Sequence, residues 1–291
     1  MQPPKNIHYN VQTDANSTAA NEKYVFNVKF HIVKETNGSG VTANFGEAQV
    51  LNAIMILNTN FNQFNIFFKY IGFDVIKNSL YTKILSGTPV PNIIPTQKSF
   101  TDLVLFSKTA SPIVVYDDFA MNLFIVDKID QNGINLLNQV AGVAYKPGID
   151  SAFSYDNFLA ATLPHEIGHN FDLFHTWEGW NTPNCEHVSG DNWQIAGDEV
   201  QDTPASHQLT NANNTSVCSY TNISNTVDCL GVLYVNVPNK NFMASNNSCR
   251  QLSTNFLPGN AEFTPKQGIR MRQQINAYIN NDTNPYGYNL A

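Results

Sequence analysis

The chain has 291 residues, 42% hydrophobic and 13% charged, with a formal net charge of −7 and a pI near 5.4. A chain of this length can bury a substantial apolar core without covalent help, and its low charge puts solubility on Asn, Ser, Thr and Gln, a style suited to an extracellular protein. The acidic balance and the lack of any Lys/Arg run argue against nucleic acid or an anionic membrane as partner, and no stretch approaches the roughly 18 apolar residues of a membrane span. The start Met1-Gln2-Pro3-Pro4-Lys5 has no apolar leader, so an exported form would already have lost one.

Residues 1–22 are polar and aperiodic, and are expected to form a tail or the remnant of a pro-segment. Alternation in 24–32 predicts a half-buried strand, followed by a turn at Asn37-Gly38-Ser39-Gly40. Asn44 and Glu47 have the spacing of a capping box, and Val50, Leu51, Ile54, Leu57 and Phe61 recur at helical spacing. Short apolar runs at 67–76, 103–107, 121–127 and 139–145, parted by Gly, Pro and Asn, predict further strands. Residues 24–150 thus suggest a mixed sheet backed by at least one helix.

A second helix is expected over 155–171, either kinked at Pro164 or beginning there. From 176 to 242 the chain is rich in Asn, Ser, Thr, Gly and Pro, and a stretch that long without periodicity is functional or cross-linked. Cys185, Cys218, Cys229 and Cys249 form no C-x-x-C pair, so two disulfides are expected, with all three pairings open. Thr264-Pro265 opens a closing helix with Ile269, Met271, Ile275 and Ile279 on one face.

His165-Glu166-Ile167-Gly168-His169 is an H-E-x-x-H motif. On a helix it sets two imidazoles one turn apart on one face, able to reach a single zinc ion, with the glutamate directed at the attacking water. His175 follows six residues after His169, the spacing that brings a third imidazole from the loop beyond the helix. Asp172 stands where that pattern has Gly. Such a turn calls for left-handed backbone, which Asp reaches at about 1 kcal/mol.

Four stretches together resemble the pappalysin family of metzincin zinc metallopeptidases: His165 to Trp177; 197–204, running Gly-Asp-Glu-Val-Gln-Asp-Thr-Pro; Asn241-Phe242-Met243 with Cys249; and 263–271. The resemblance covers roughly residues 24–280. It implies an α+β (mixed-sheet) fold, with a catalytic domain over 23–291 split into a sheet-and-helix subdomain to about 170 and an irregular, disulfide-stapled one beyond. It implies Met243 as an apolar floor beneath the zinc, disulfides Cys185–Cys229 and Cys218–Cys249, and calcium near Asp198, Asp202 and Thr203. It further implies a secreted, monomeric endopeptidase, with a protein or peptide substrate extended along an edge strand within 139–146. Peptide hydrolysis would then use Glu166 as general base for attack by zinc-activated water. The family's Asp-Tyr after the turn methionine is replaced by Ala244-Ser245, and serine is too short to act as that tyrosine does. Two rivals stay open: a thermolysin-like peptidase whose third ligand is Glu178, Glu186 or Glu199, and a catalytically impaired metal-bearing binding module.

Overall fold

The structure is a computed structural model and describes residues 22–87, 97–110, 114–131, 139–146, 148–210, 218–222, 224–245, 249 and 261–280; the tail expected over 1–22 lies outside them but for Glu22. Strand β1 (Tyr24–Lys34) pairs in parallel with β2 (Ile66–Lys77) and β5 (Met121–Val126), and β5 with β9 (Ser151–Ser154). Strand β8 (Gly142–Ala144) closes that five-stranded sheet as its edge, antiparallel to β9. A smaller sheet joins β4 (Lys98–Ser99), β3 (Lys83–Leu85), β6 (Lys128–Asp130) and β7 (Gln139–Val140). The fold is mixed α/β, as expected.

Both faces of the main sheet are covered, so its central strand β5 is buried throughout rather than alternating, and is apolar but for Asn122. On one face Phe30, Ile32, Leu123 and Ile125 pack with residues of α1 (Glu47–Phe61), α3 (Thr162–Asn170) and α4 (Pro265–Asn280). On the other, Val33, Phe124 and Val126 pack with α2 (Phe100–Thr109).

Several elements differ from expectation. Residues 103–107 belong to α2, not to a strand. Ser99 and Asp102 form a capping box at its start, and Phe100, Leu103, Val104 and Ser107 make its buried face at helical spacing. The cap of α1 is Gly46, whose N–H donates to the Gln49 side chain, rather than the Asn44–Glu47 pair. Helix α3 is shorter than expected and begins at Thr162, so Pro164 sits in the first turn, where its missing N–H has no intrahelical acceptor to lose. The face α4 buries is half polar: Gln267, Arg270 and Gln274 beside Met271 and Ile275, with Ile269 only partly buried. The side chain of Ile279 is outside the described residues.

Between α3 and α4 the described residues contain no helix and only isolated bridges. This region is held by disulfides Cys185–Cys229 and Cys218–Cys249, each limiting an unfolded loop at about 4 kcal/mol in a chain-entropy picture. Arg270, 2% exposed, also pins it: Nη2 meets Asp172 Oδ2 at 3.1 Å, Nε donates to Asp172 O, and Nη1 donates to Asp198 O. No helix among the described residues is long and apolar enough to cross a membrane.

Asp172 has φ 68°, so glycine would relieve about 1 kcal/mol of backbone strain there. It would also strip a buried guanidinium of a charge-assisted partner, a bond of about 1.5–3 kcal/mol. The second effect is the larger, so Asp172→Gly is expected to lower stability by about 0.5–2 kcal/mol in urea unfolding. An unchanged midpoint would cut the ion pair to about the 1 kcal/mol of strain relieved, and a stability raised by that full amount would show that it contributes nothing.

Candidate metal and catalytic site

Helix α3 places His165 and His169 one turn apart and ends in a Schellman turn. Leu173 N donates to Gly168 O and Asp172 N to His169 O, with Asp172 left-handed between them. The reversal brings His175 back over the helix, and the ligand atoms of His165, His169 and His175 lie within 4.8 Å of one another.

The orientation of each ring is set from behind. His165 Nδ1 lies 2.6 Å from Phe242 O, and His169 Nδ1 2.7 Å from Leu173 O. A carbonyl only accepts, so each Nδ1 carries the proton and each Nε2 keeps its lone pair for a metal. His175 Nδ1 faces Glu178 Oε2 at 3.8 Å, and the imidazole holds that carboxyl below its ordinary value. The ring also stacks on Trp177, centroids 4.5 Å apart. His169 Nε2 and His175 Nε2 are 3.2 Å apart. Two imidazoles on one tetrahedral zinc at 2.0–2.1 Å would be about 3.3 Å apart, so the donor set fits the ion.

Against α3, at His165 and Gly168, runs the turn 241–244. Met243 is fully buried, with its N–H donating to Asn241 Oδ1 and its carbonyl accepting from Thr176 N. A Cβ on Gly168 would fall 2.7 Å from Met243 Sδ, so the bare glycine lets the thioether lie directly on α3. Asn241 and Gln267 exchange hydrogen bonds, and Gln267 also accepts from Thr264 N as half of the capping box that starts α4. Ser245 Oγ accepts from Leu209 N at 2.6 Å and donates to Leu209 O, so its hydroxyl ties residue 209 to this turn.

Glu166 lies on α3 between the two histidines, 6% exposed and against edge strand β8. Asn170 locks the end of α3 to the loop between β8 and β9, donating to Tyr145 O and Asp150 O and accepting from Ser151 Oγ. Of the acids considered as a third ligand, Glu178 backs His175, Glu199 Oε2 lies 3.4 Å from Arg270, and Glu186 is buried beside Asp198; none joins the three-histidine group.

Near 198–203 the structure separates the expected acids. Asp198 Oδ1 accepts from Val200 N and Thr203 Oγ1, while its Oδ2 and Glu186 Oε2 are buried with no hydrogen-bond partner. Burial, with the charge of Asp198 adding, pushes Glu186 up to about 9, and burial pushes Asp198 up to about 7. Two orphaned carboxylate oxygens suit a hard cation. Asp202 faces elsewhere, accepting from Thr264 Oγ1 and Lys266 N at the start of α4. Glu186 was not singled out for this cluster from the sequence; no motif marks it, because it reaches Asp198 through the folding of an irregular loop over Gly197.

The family model of peptidase M43, described as pregnancy-associated plasma protein-A, matches residues 117–276, more than half of the chain. A comparison with curated proteins returned no match. Among solved structures, a chaperone–substrate complex is 11% identical with TM-score 0.35, covering 72% of this chain and 33% of that one. Metalloproteinase-II from Bacteroides fragilis is 14% identical with TM-score 0.33, covering 65% of this chain and 51% of that one. Archaemetzincin from Methanopyrus kandleri is 17% identical with TM-score 0.31, covering 55% of this chain and 79% of that one. The chain spans a third and a half of the first two.

If three imidazoles hold the ion, removing one breaks the tetrahedron. His175→Ala is expected to lose zinc on dialysis while the unaltered chain keeps one ion, as read by elemental analysis; a variant retaining a full equivalent would exclude His175 as a ligand.

Proposed function

We propose that this chain, which belongs to the pappalysin family of metallopeptidases, is a secreted zinc endopeptidase of metzincin type in which His165, His169 and His175 hold the metal and Glu166 is the general base. The observation that supports it most is the convergence of the three rings with Glu166 against an edge strand. Zinc bound there supplies Lewis acidity to water and to the scissile carbonyl.

The chain's own groups do the rest. Strand β8 offers an extended substrate the edge of the sheet, pairing backbone to backbone. Glu166 accepts the proton of the attacking water and passes it to the departing amine, while burial against β8 holds its carboxylate to one place. Met243 keeps the underside of the rings dry. Asp172 and Ser245, two departures from the family pattern, have structural partners in Arg270 and Leu209, so each is accounted for by the packing of this chain. The two disulfides accord with an oxidising compartment.

Glu166→Ala is expected to keep one zinc per chain and lower peptide turnover by about 10²–10⁴-fold, since the base acts twice. Comparable turnover in the zinc-loaded variant would remove Glu166 from this role, and casein cleavage unaffected by a chelator would remove the metal.

The same reading places calcium at Glu186, Asp198 and Thr203, leaving Asp202 to α4. Millimolar calcium is expected to raise the melting temperature saturably. Glu186→Gln, which removes one of two facing carboxylates, should melt higher in chelator yet no longer respond to calcium. No calcium response in the unaltered chain, or an equal one in the variant, would rule the site out.

A further inference from the structure

Gly142 opens β8 and pairs with Phe153 of β9. A glycine within a strand weakens it, having no side chain to pack and more entropy to lose, so its presence there calls for a cause. Conformation is not the cause, since Gly142 is not among the described glycines with positive φ. The cause is space. A Cβ built on Gly142 would fall 2.6 Å from Glu166 Cγ, 2.8 Å from Oε1 and 2.9 Å from Cδ, so its three nearest neighbours all belong to that one side chain.

We propose that Gly142 is a positioning residue: its bare Cα is the wall against which Glu166 lies, and it fixes the carboxylate beside the strand that receives substrate. The inference rests on Glu166 being the general base. The backbone at 142 is held by its pairing with β9, whereas a glutamate side chain turns about single bonds, so a methyl group at 142 moves the carboxylate and not the strand. Proton transfer needs heavy atoms about 2.6–3.2 Å apart, and a misplacement of about 1 Å costs on the order of 10²-fold in rate. The three atoms nearest the new methyl group all belong to Glu166 and none to an imidazole, so the metal stays.

The test is zinc-loaded Gly142→Ala, alone and with Glu166→Ala, followed by kinetics, zinc content and a crystal structure. The expected result is kcat lower by about 10²-fold with KM within about twofold, one zinc retained, and the Glu166 carboxylate displaced with the rings in place. In the Glu166→Ala background the added methyl should change the residual rate less than about twofold, because the group it displaces is gone. An unmoved carboxylate, a wild-type kcat, or an equal loss of rate in the Glu166→Ala background would overturn the proposal. Should the unaltered chain cleave no peptide, the function proposed above fails. The position of Glu166 in the crystal structure of zinc-loaded Gly142→Ala then still decides the packing claim.

Discussion

Three imidazoles can share one ion only if all present the same nitrogen to one point, and each ring has two. In this chain the choice is made behind His165 and His169 by backbone carbonyls that accept from Nδ1 and leave Nε2 facing inward, while Glu178 stands behind Nδ1 of His175. Leu173 O comes from the turn that ends α3, and Phe242 O from a loop 77 residues beyond His165 in sequence. The site therefore forms only when the irregular region is folded against α3. The pins that hold Phe242, from Asn241 to Gln267 and from Met243 to Thr176, belong to the candidate site as much as the three histidines do.

The apolar core supports half of that arrangement. It fixes α3 on the sheet through Leu163, Ile167 and Phe171, all buried. Beyond Phe171 the balance changes: two disulfides, the buried guanidinium of Arg270, and side-chain amides take over where strands and helices are absent among the described residues. Such a region is sensitive to loss of a single polar partner, because an orphaned buried donor keeps its desolvation cost. Arg270 ties the α3 turn to the 198–199 segment, so the two candidate metal sites share a support.

Much of the site was legible because metal chemistry imposes spacing on sequence. Residues one turn apart on a helix, and a third after a fixed turn, leave a pattern that a reader can recognise. The left-handed Asp172 was also foreseeable, but its ion pair with Arg270 was not, since residues 98 apart meet only through the fold. Residues 103–107 looked like a strand because the run is short and apolar; the capping pair Ser99 and Asp102 just ahead of it was the overlooked signal. Glu186, Gly142 and Gly168 leave no periodic trace, because their roles are set by which side chain lies across from them: Asp198, Glu166 and Met243.

The account turns on one ion in one place. A crystal structure of the zinc-loaded chain, with anomalous scattering recorded on both sides of the zinc edge, tests it most directly. The expected result is a single strong site about 2.0–2.1 Å from Nε2 of His165, His169 and His175, with Met243 below. Zinc bound instead through Glu178, Glu186 or Glu199, or bound without His175, would contradict it.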